Sequence, residues 1–295
     1  MIREFAPAKI NLYLHITGRR PDGYHILDSL TAFAGVGDEI RLEPAPRFDF
    51  IVDGPQAALL TNEPVEGNLA VRAARALAER VGKPLDIRMT LIKNLPVASG
   101  IGGGSSDAAA GLRALALYWA MPLDDSRLLE AAVLCGQDVP VCLNAESCYI
   151  TAEGTEPGPE LPYTNIVLVN PGRALATADV YKAYKDGGPV FSHVARLENI
   201  PPDAGQLTAM LKARHNDLAV PALRLLPEIG AVIKALEGSA QCLLARMSGS
   251  GATCFGVFPD RDSARKAAAD LLSMNPGWWV IQSHIPVRRD RRQRI

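Results

Sequence analysis

The stretch Leu95-Pro96-Val97-Ala98-Ser99-Gly100-Ile101-Gly102-Gly103-Gly104-Ser105-Ser106-Asp107 says most about chemistry in this 295-residue chain. Four glycines in five positions leave backbone N–H groups open, with no Cβ in the way. The Ala- and Leu-rich run over 105–119 predicts a helix. The glycines therefore stand just ahead of a helix start, where unpaired N–H groups and the helix dipole favour an anion. Ser105 and Ser106 add hydroxyl donors and are expected to cap that helix. Such a loop suits the cradling of a di- or triphosphate; the plainer reading is a flexible loop or tight turn. Two familiar phosphate loops do not fit. The P-loop needs Gly-Lys-Ser/Thr, which does not follow. The dinucleotide fingerprint needs a glycine where Ser105 stands, three residues after Gly102. The Gly-rich and catalytic-loop signatures of protein kinases are also missing.

The elements around this loop can be read from period and punctuation. Apolar residues alternate over 10–16, which predicts a half-buried strand. A turn follows at Arg20-Pro21-Asp22-Gly23, then strand-like runs at 27–34, 38–43 and 47–52 that suggest an antiparallel sheet. Leu69, Ala70, Ala73, Ala74, Leu77 and Val81 fall at helical spacing, with Asn68 placed to N-cap. A strand over 85–92 leads into the glycine loop, and a second helix is expected at Ser126–Cys135. Two glycines and three prolines in 154–162 mark a boundary or long connection. Beyond it we read a strand at 165–169 and helices near 178–185, 205–213 and 228–237. A strand pair at 242–247 and 252–258 is joined by Ser248-Gly249-Ser250-Gly251. A helix over 263–273 and a strand over 278–285 follow. Strands grouped early and mixed order later predict an α+β fold.

Composition narrows the classes. Hydrophobic residues are 48% and charged ones 21%, as in ordinary globular proteins. The formal net charge of -1 argues against nucleic-acid binding through bulk charge. Five cysteines without CxxC or zinc-type spacing read as reduced, mostly buried thiols. Charges at Arg3 and Glu4 interrupt what a signal peptide would need as an apolar run. No stretch reaches the roughly 18 apolar residues of a membrane span. The expectation is a cytoplasmic protein with no membrane and no nucleic-acid partner, monomeric or a weak homodimer. Residues 288–295 carry five arginines and are expected to be a solvated tail.

Three stretches, in this order, resemble the motifs of the GHMP kinases, the family of galactokinase, homoserine kinase, mevalonate kinase and phosphomevalonate kinase. Pro7-Ala8-Lys9-Ile10-Asn11-Leu12 resembles the first, the glycine loop the second, and Met247-Ser248-Gly249-Ser250-Gly251-Ala252 the third. Within the family, Gly18-Arg19-Arg20-Pro21-Asp22-Gly23-Tyr24-His25 and Gly136-Gln137-Asp138-Val139-Pro140 resemble the branch acting on a cytidyl diphospho-sugar alcohol. Gln137 departs from a position where small residues are common, and Cys142 from one where an aromatic is common. The resemblance implies a two-domain GHMP kinase fold with a ribosomal-protein-like N-terminal domain, here 1–158, and an α+β C-terminal domain, here 159–295. It places ATP and substrate in the cleft between them. It implies ATP with Mg2+ and phosphorylation of the 2-hydroxyl of the cytidyl substrate.

The resemblance also implies roles. Asp138 would accept the proton of the reacting hydroxyl or position it, although a lone Asp is more often a surface or capping residue. Pro140 is read as ending regular structure beside it. Lys9 would sit beside Asp138 and stabilise the attacking oxygen or the transferring phosphoryl, although a Lys in an apolar strand more often faces solvent. Asn68 and Lys93 would join Pro96, Val97, Ala98, Ser99, Gly100, Ile101, Gly102, Gly103, Gly104, Ser105 and Ser106 on the ATP side. Ser106 is also a candidate Mg2+ ligand. Tyr24 and His25, an aromatic pair at a loop tip, can stack on a pyrimidine and would grip the cytosine. Packing of their turn onto the domain is the plainer reading. Asn11, Thr177, Tyr181, Gly249, Ser250 and Gly251 complete the substrate side. Two alternatives stand beside this reading. One is another GHMP kinase of mevalonate or homoserine type, and the other is an RNA-binding module using the basic tail.

Overall fold

In a computed structural model the chain is described over residues 1–61, 63–188 and 190–287, so the arginine tail lies outside the described residues. Two compact units divide it. The first comprises 1–9, 36–97 and 102–145, the second 10–35, 98–101 and 146–295. Both are interleaved along the sequence because two long strands, β1 (Ile2–Arg19) and β2 (His25–Pro44), contribute to each.

In the first unit, the latter half of β2 pairs antiparallel with β4 (Ile87–Ile92), Leu42 opposite Met89. The short β3 (Asp49–Asp53) pairs parallel with β4 on its other side. Inward residues Ile40, Leu42, Met89 and Leu91 are buried, while Arg88 points out, the period-2 pattern of a one-sided sheet. Four helices complete the unit: α1 (Leu69–Val81), α2 (Gly103–Tyr118), α3 (Ser126–Cys135) and α4 (Asp138–Asn144). Helix α1 packs against α2 and α3, and α2 against α4. Every residue of α2 from Ser106 to Ala116 is buried, the polar Ser106, Asp107 and Arg113 among them, so this is a central helix with its polar groups bonded internally. The expected strands at 27–34 and 38–43 are one strand, because Gly35-Val36-Gly37 stays extended rather than turning.

In the second unit the first half of β2 pairs with β5 (Cys148–Thr151), which forms a hairpin with β6 (Gly154–Pro157). The stretch read from composition as a connection thus begins with a strand. A second antiparallel sheet runs β10-β7-β9-β8, from β7 (Thr164–Asn170), β8 (Leu244–Met247), β9 (Cys254–Phe258) and β10 (Trp279–Ile285). Helices α5 (Thr177–Asp186), α6 (Ala204–Lys212), α7 (Ala219–Leu225), α8 (Glu228–Glu237) and α9 (Arg261–Met274) complete the unit. Its core joins Val167, Val169 and Phe258 to Ile229, Leu236 and Leu271.

Two helices escaped the sequence reading, α4 and α7. Each carries a proline at its third position, Pro140 and Pro221. Proline looks like a breaker, yet the first turn of a helix has no use for its missing N–H. Pro140 therefore lies inside a helix that begins at Asp138 instead of ending regular structure. The strand over 10–16 also differs from expectation. Asn11 and His15, on its polar face, are only 3% and 4% exposed, and Tyr13 is fully buried. That face is buried because its polar atoms are bonded within the unit: Tyr13 to Asp28, and His15 to the carbonyl of His193.

Candidate active site

In the first unit, Lys9 Nζ donates to Asp138 Oδ2 at 2.8 Å. The Lys9 side chain is 6% exposed and the Asp138 side chain 46%, so a buried cation anchors a carboxylate that faces outward. Lys9 therefore does not lie on a solvated face. Asp138 opens α4, where the helix dipole favours an anion. Arg113 of α2 fixes this helix to β1. It donates to the carbonyls of Cys142 and Leu143 at 3.2 Å, to the Phe5 carbonyl at 2.7 Å and to Glu4 Oε2 at 2.8 Å.

The glycine loop runs into α2 two residues earlier than expected. Gly102 is the N-cap and Gly103 the first helical residue, so Ser105 and Ser106 lie inside the helix and do not cap it. Gly102 needs to be glycine twice over. Its φ is +63°, and a Cβ there would lie 2.9 Å from Lys9 Cβ. Ser106 is buried, and its hydroxyl donates to the Pro7 carbonyl at 2.7 Å. Pro96, Ser99 and Ile101 are buried, Val97 and Ser105 half-buried, and Ala98 and Gly104 exposed. Asn68 is the N-cap of α1, its Oδ1 accepting from Ala70 N at 2.9 Å. Lys93 is 3% exposed and pairs with Asp38 and, at 2.8 Å, with Asp107.

The second unit brings most of the expected substrate-side residues into contact with one another. His25 stacks on Tyr181 with ring centroids 5.1 Å apart and meets Tyr184 edge-on at 5.6 Å. Burial, then Arg19 and Lys185, holds the His25 pKa below its ordinary value, so the ring is neutral. Tyr24 is 57% exposed, and the ring stacked on His25 is that of Tyr181. Asn11 gives its amide N–H groups to Ser29 Oγ at 2.8 Å and Thr31 Oγ1 at 3.4 Å. Its Oδ1 lies beside Gly249. Thr177 and Ser250 share a hydroxyl hydrogen bond of 2.8 Å. Gly100 and Gly251 meet backbone to backbone, since a Cβ on Gly100 would lie 2.5 Å from the Gly251 oxygen.

Several supporting residues went unread. Ser248 Oγ accepts from Asn11 N at 3.1 Å and donates to the Gly100 carbonyl at 3.2 Å. Asn216 donates to the carbonyls of Met247 and Gly249 at 2.9 and 2.8 Å, which fixes the Ser-Gly-Ser-Gly turn. Ser248 lay within a noted motif, and Asp107 directly follows Ser106. Asp38, Arg113 and Asn216 carry no local signal, because their partners are remote in sequence. Among the described residues no group of three or more His, Cys, Asp or Glu could hold a metal ion. No helix among them is long and apolar enough to cross a membrane.

Comparison with known proteins defines the class. The GHMP kinases N terminal domain family matches residues 68–146, and the GHMP kinases C terminal family matches 197–276. Together with the relatives below, this establishes that the chain belongs to the GHMP kinase family. Within the family it is 48% identical over 279 residues to the 4-diphosphocytidyl-2-C-methyl-D-erythritol kinase of Rhodospirillum rubrum, covering 94% of this chain and 90% of that one. It is 48% identical over 298 residues to the enzyme of the same name from Cereibacter sphaeroides, covering 97% and 99%. A crystal structure of 4-(cytidine 5'-diphospho)-2C-methyl-D-erythritol kinase aligns with a TM-score of 0.75 and 32% identity over 97% of this chain and 100% of that one. Mevalonate kinase of L. major, at 17% identity and a TM-score of 0.73 over 98% and 97% of the two chains, shares the fold.

Proposed function

We propose that this chain transfers a phosphoryl group from ATP to the 2-hydroxyl of 4-diphosphocytidyl-2-C-methyl-D-erythritol, a step of non-mevalonate isoprenoid precursor synthesis. The observation that carries the chemistry is the 2.8 Å pair of Lys9 and Asp138. Near-full-length relatives of that name carry the choice of substrate. Asp138, exposed on its outer side, takes the hydrogen bond of the reacting hydroxyl and receives its proton. Lys9 holds that carboxylate in one orientation. Its charge favours the oxygen as it becomes anionic and the phosphoryl as it moves. The open N–H groups at the start of α2 bind phosphate oxygens. Neutral His25 can both donate to and accept from the edge of cytosine, and Tyr181 presents a ring face for stacking. Asn11, Thr177, Ser250 and the turn at Gly249 and Gly251 form the remaining substrate side.

The residues present fit Mg2+ carried by the nucleotide. Ser106 spends its proton on the Pro7 carbonyl, which leaves oxygen lone pairs for a cation, and Asp138 offers an exposed carboxylate. Mg2+ keeps several waters and phosphate oxygens, so it needs few protein ligands. When bound it neutralises charge on the transferring phosphates. With this reading go a cytoplasmic location, a monomer or weak homodimer, and a division near residue 158. The two family matches, 68–146 and 197–276, fall on either side of that division.

A substrate panel tests the proposal. ATP consumption is followed with the cytidyl substrate, mevalonate and homoserine, and turnover is expected with the first alone. Turnover of mevalonate or homoserine in its place would transfer the chain to another branch of the family.

A further inference from the structure

Under the first turn of α2 lie three charges that the phosphoryl-transfer chemistry does not use. The side chains of Lys93, Asp38 and Asp107 are 3%, 0% and 4% exposed. Burying two carboxylates around one ammonium is costly unless each is tightly bonded, so their retention calls for a use. Their bonds show one. Asp38 Oδ1 accepts from the backbone N–H groups of Asn94 and Leu95, at 2.5 and 2.8 Å, where the chain enters the glycine loop. Asp38 Oδ2 accepts from Lys93. Lys93 in turn donates to Asp107 Oδ2 at 2.8 Å, in the opening turns of α2 where the chain leaves that loop. A Cβ on Gly103 would lie 3.1 Å from Lys93 Nζ, so the ammonium sits directly behind the first helical residue. Asp107 Oδ1 is buried with no hydrogen-bond partner, so the ion pair of Asp107 with the lysine runs through Oδ2.

We propose that Lys93, Asp38 and Asp107 form a charge clip that ties the entry of the glycine loop to its exit and holds the first turn of α2 in place for nucleotide phosphate. The proposal rests on the ATP reading above and deepens it. Asp107 is then a positioning residue acting through Lys93, and Lys93 serves the nucleotide from behind the loop. The charges agree with this. Burial works against the Lys93 ammonium, but Asp107 and Asp38 outweigh it and raise its pKa, so the clip stays charged at its centre. Burial, and the like charge of Asp38, push the Asp107 carboxyl up, against the pull of Lys93.

The test measures binding of a non-hydrolysable ATP analogue by calorimetry, with the KM of the cytidyl substrate alongside. Asp107→Asn keeps an acceptor for Lys93, whereas Asp107→Leu fills similar space without one. The clip predicts that Asp107→Leu weakens analogue binding threefold or more and leaves the cytidyl KM within twofold. Asp107→Asn is expected to bind the analogue within twofold of wild type. If Lys93 instead bound the nucleotide directly, removing its competitor in Asp107→Leu would leave binding equal or tighter. That result, any weakening under threefold, or equal damage in Asp107→Asn, overturns the clip. Should Asp107→Leu fail to fold by circular dichroism, Asp107→Ala takes its place with the same outcomes. Absence of analogue binding in wild type would overturn the ATP reading itself, which is a separate result.

Discussion

His25 shows how surroundings can suit a single side chain to the role proposed for it. Partial burial and the nearby Arg19 and Lys185 keep it neutral at a pH where an exposed histidine begins to charge. A neutral ring both donates and accepts, as the edge of a cytosine requires; a charged ring only donates. The KM for the cytidyl substrate is therefore expected to stay level down to about pH 6.5, the ordinary histidine pKa. It should rise only at more acid pH, as the depressed pKa is crossed. A steady-state pH series checks this, and His25→Ala should raise the KM and abolish the acid limb. At this scale much was legible. Lys9 and Asp138 stand in recognisable motifs, and the fold pairs them at 2.8 Å. Asp38 was not legible, since it is an ordinary strand residue until the fold sets Lys93 against it.

Among elements, α4 matters most, because its first residue is Asp138. A seven-residue helix has little stability of its own, so something else must fix it. Arg113 does so, bonding two α4 carbonyls, the Phe5 carbonyl and Glu4 from one buried guanidinium. Arg113→Met would leave those acceptors without their donor and Glu4 without its ion pair. The expected loss is about 3 kcal/mol of stability, read as a lower Tm. A fall in kcat of roughly tenfold should accompany it, since 1.4 kcal/mol of misplacement costs that much. A lower Tm with unchanged kcat would confine Arg113 to stability. Sequence periodicity recovered α1, α3 and α8, where apolar spacing is regular; α1 and α3 also carry side-chain N-caps, Asn68 and Asp125. It missed α4 and α7 for a shared reason: both begin within two residues of a proline whose missing N–H costs nothing there.

Across the whole molecule, the α+β class followed from grouped strands and mixed order. The interleaving did not, because a linear reading cannot see that β1 and β2 each serve two units. The net charge of -1 also takes on meaning: under the proposed reading, anionic ligands meet local N–H groups and the buried cations Lys9 and Lys93 without an excess of positive charge in the chain as a whole. A ligand that binds only the folded chain stabilises all of it. An ATP analogue at about 100 times its Kd should add about 2.7 kcal/mol, roughly 5 °C in Tm, measured by thermal denaturation. The central claim is that the Lys9–Asp138 pair performs phosphoryl transfer on the cytidyl substrate. It is tested most directly by single-turnover kinetics of Asp138→Asn with ATP and that substrate both shown to be bound. The account predicts a rate at least about 100-fold below wild type with both ligands held at near-normal affinity. A wild-type rate in that variant would contradict it.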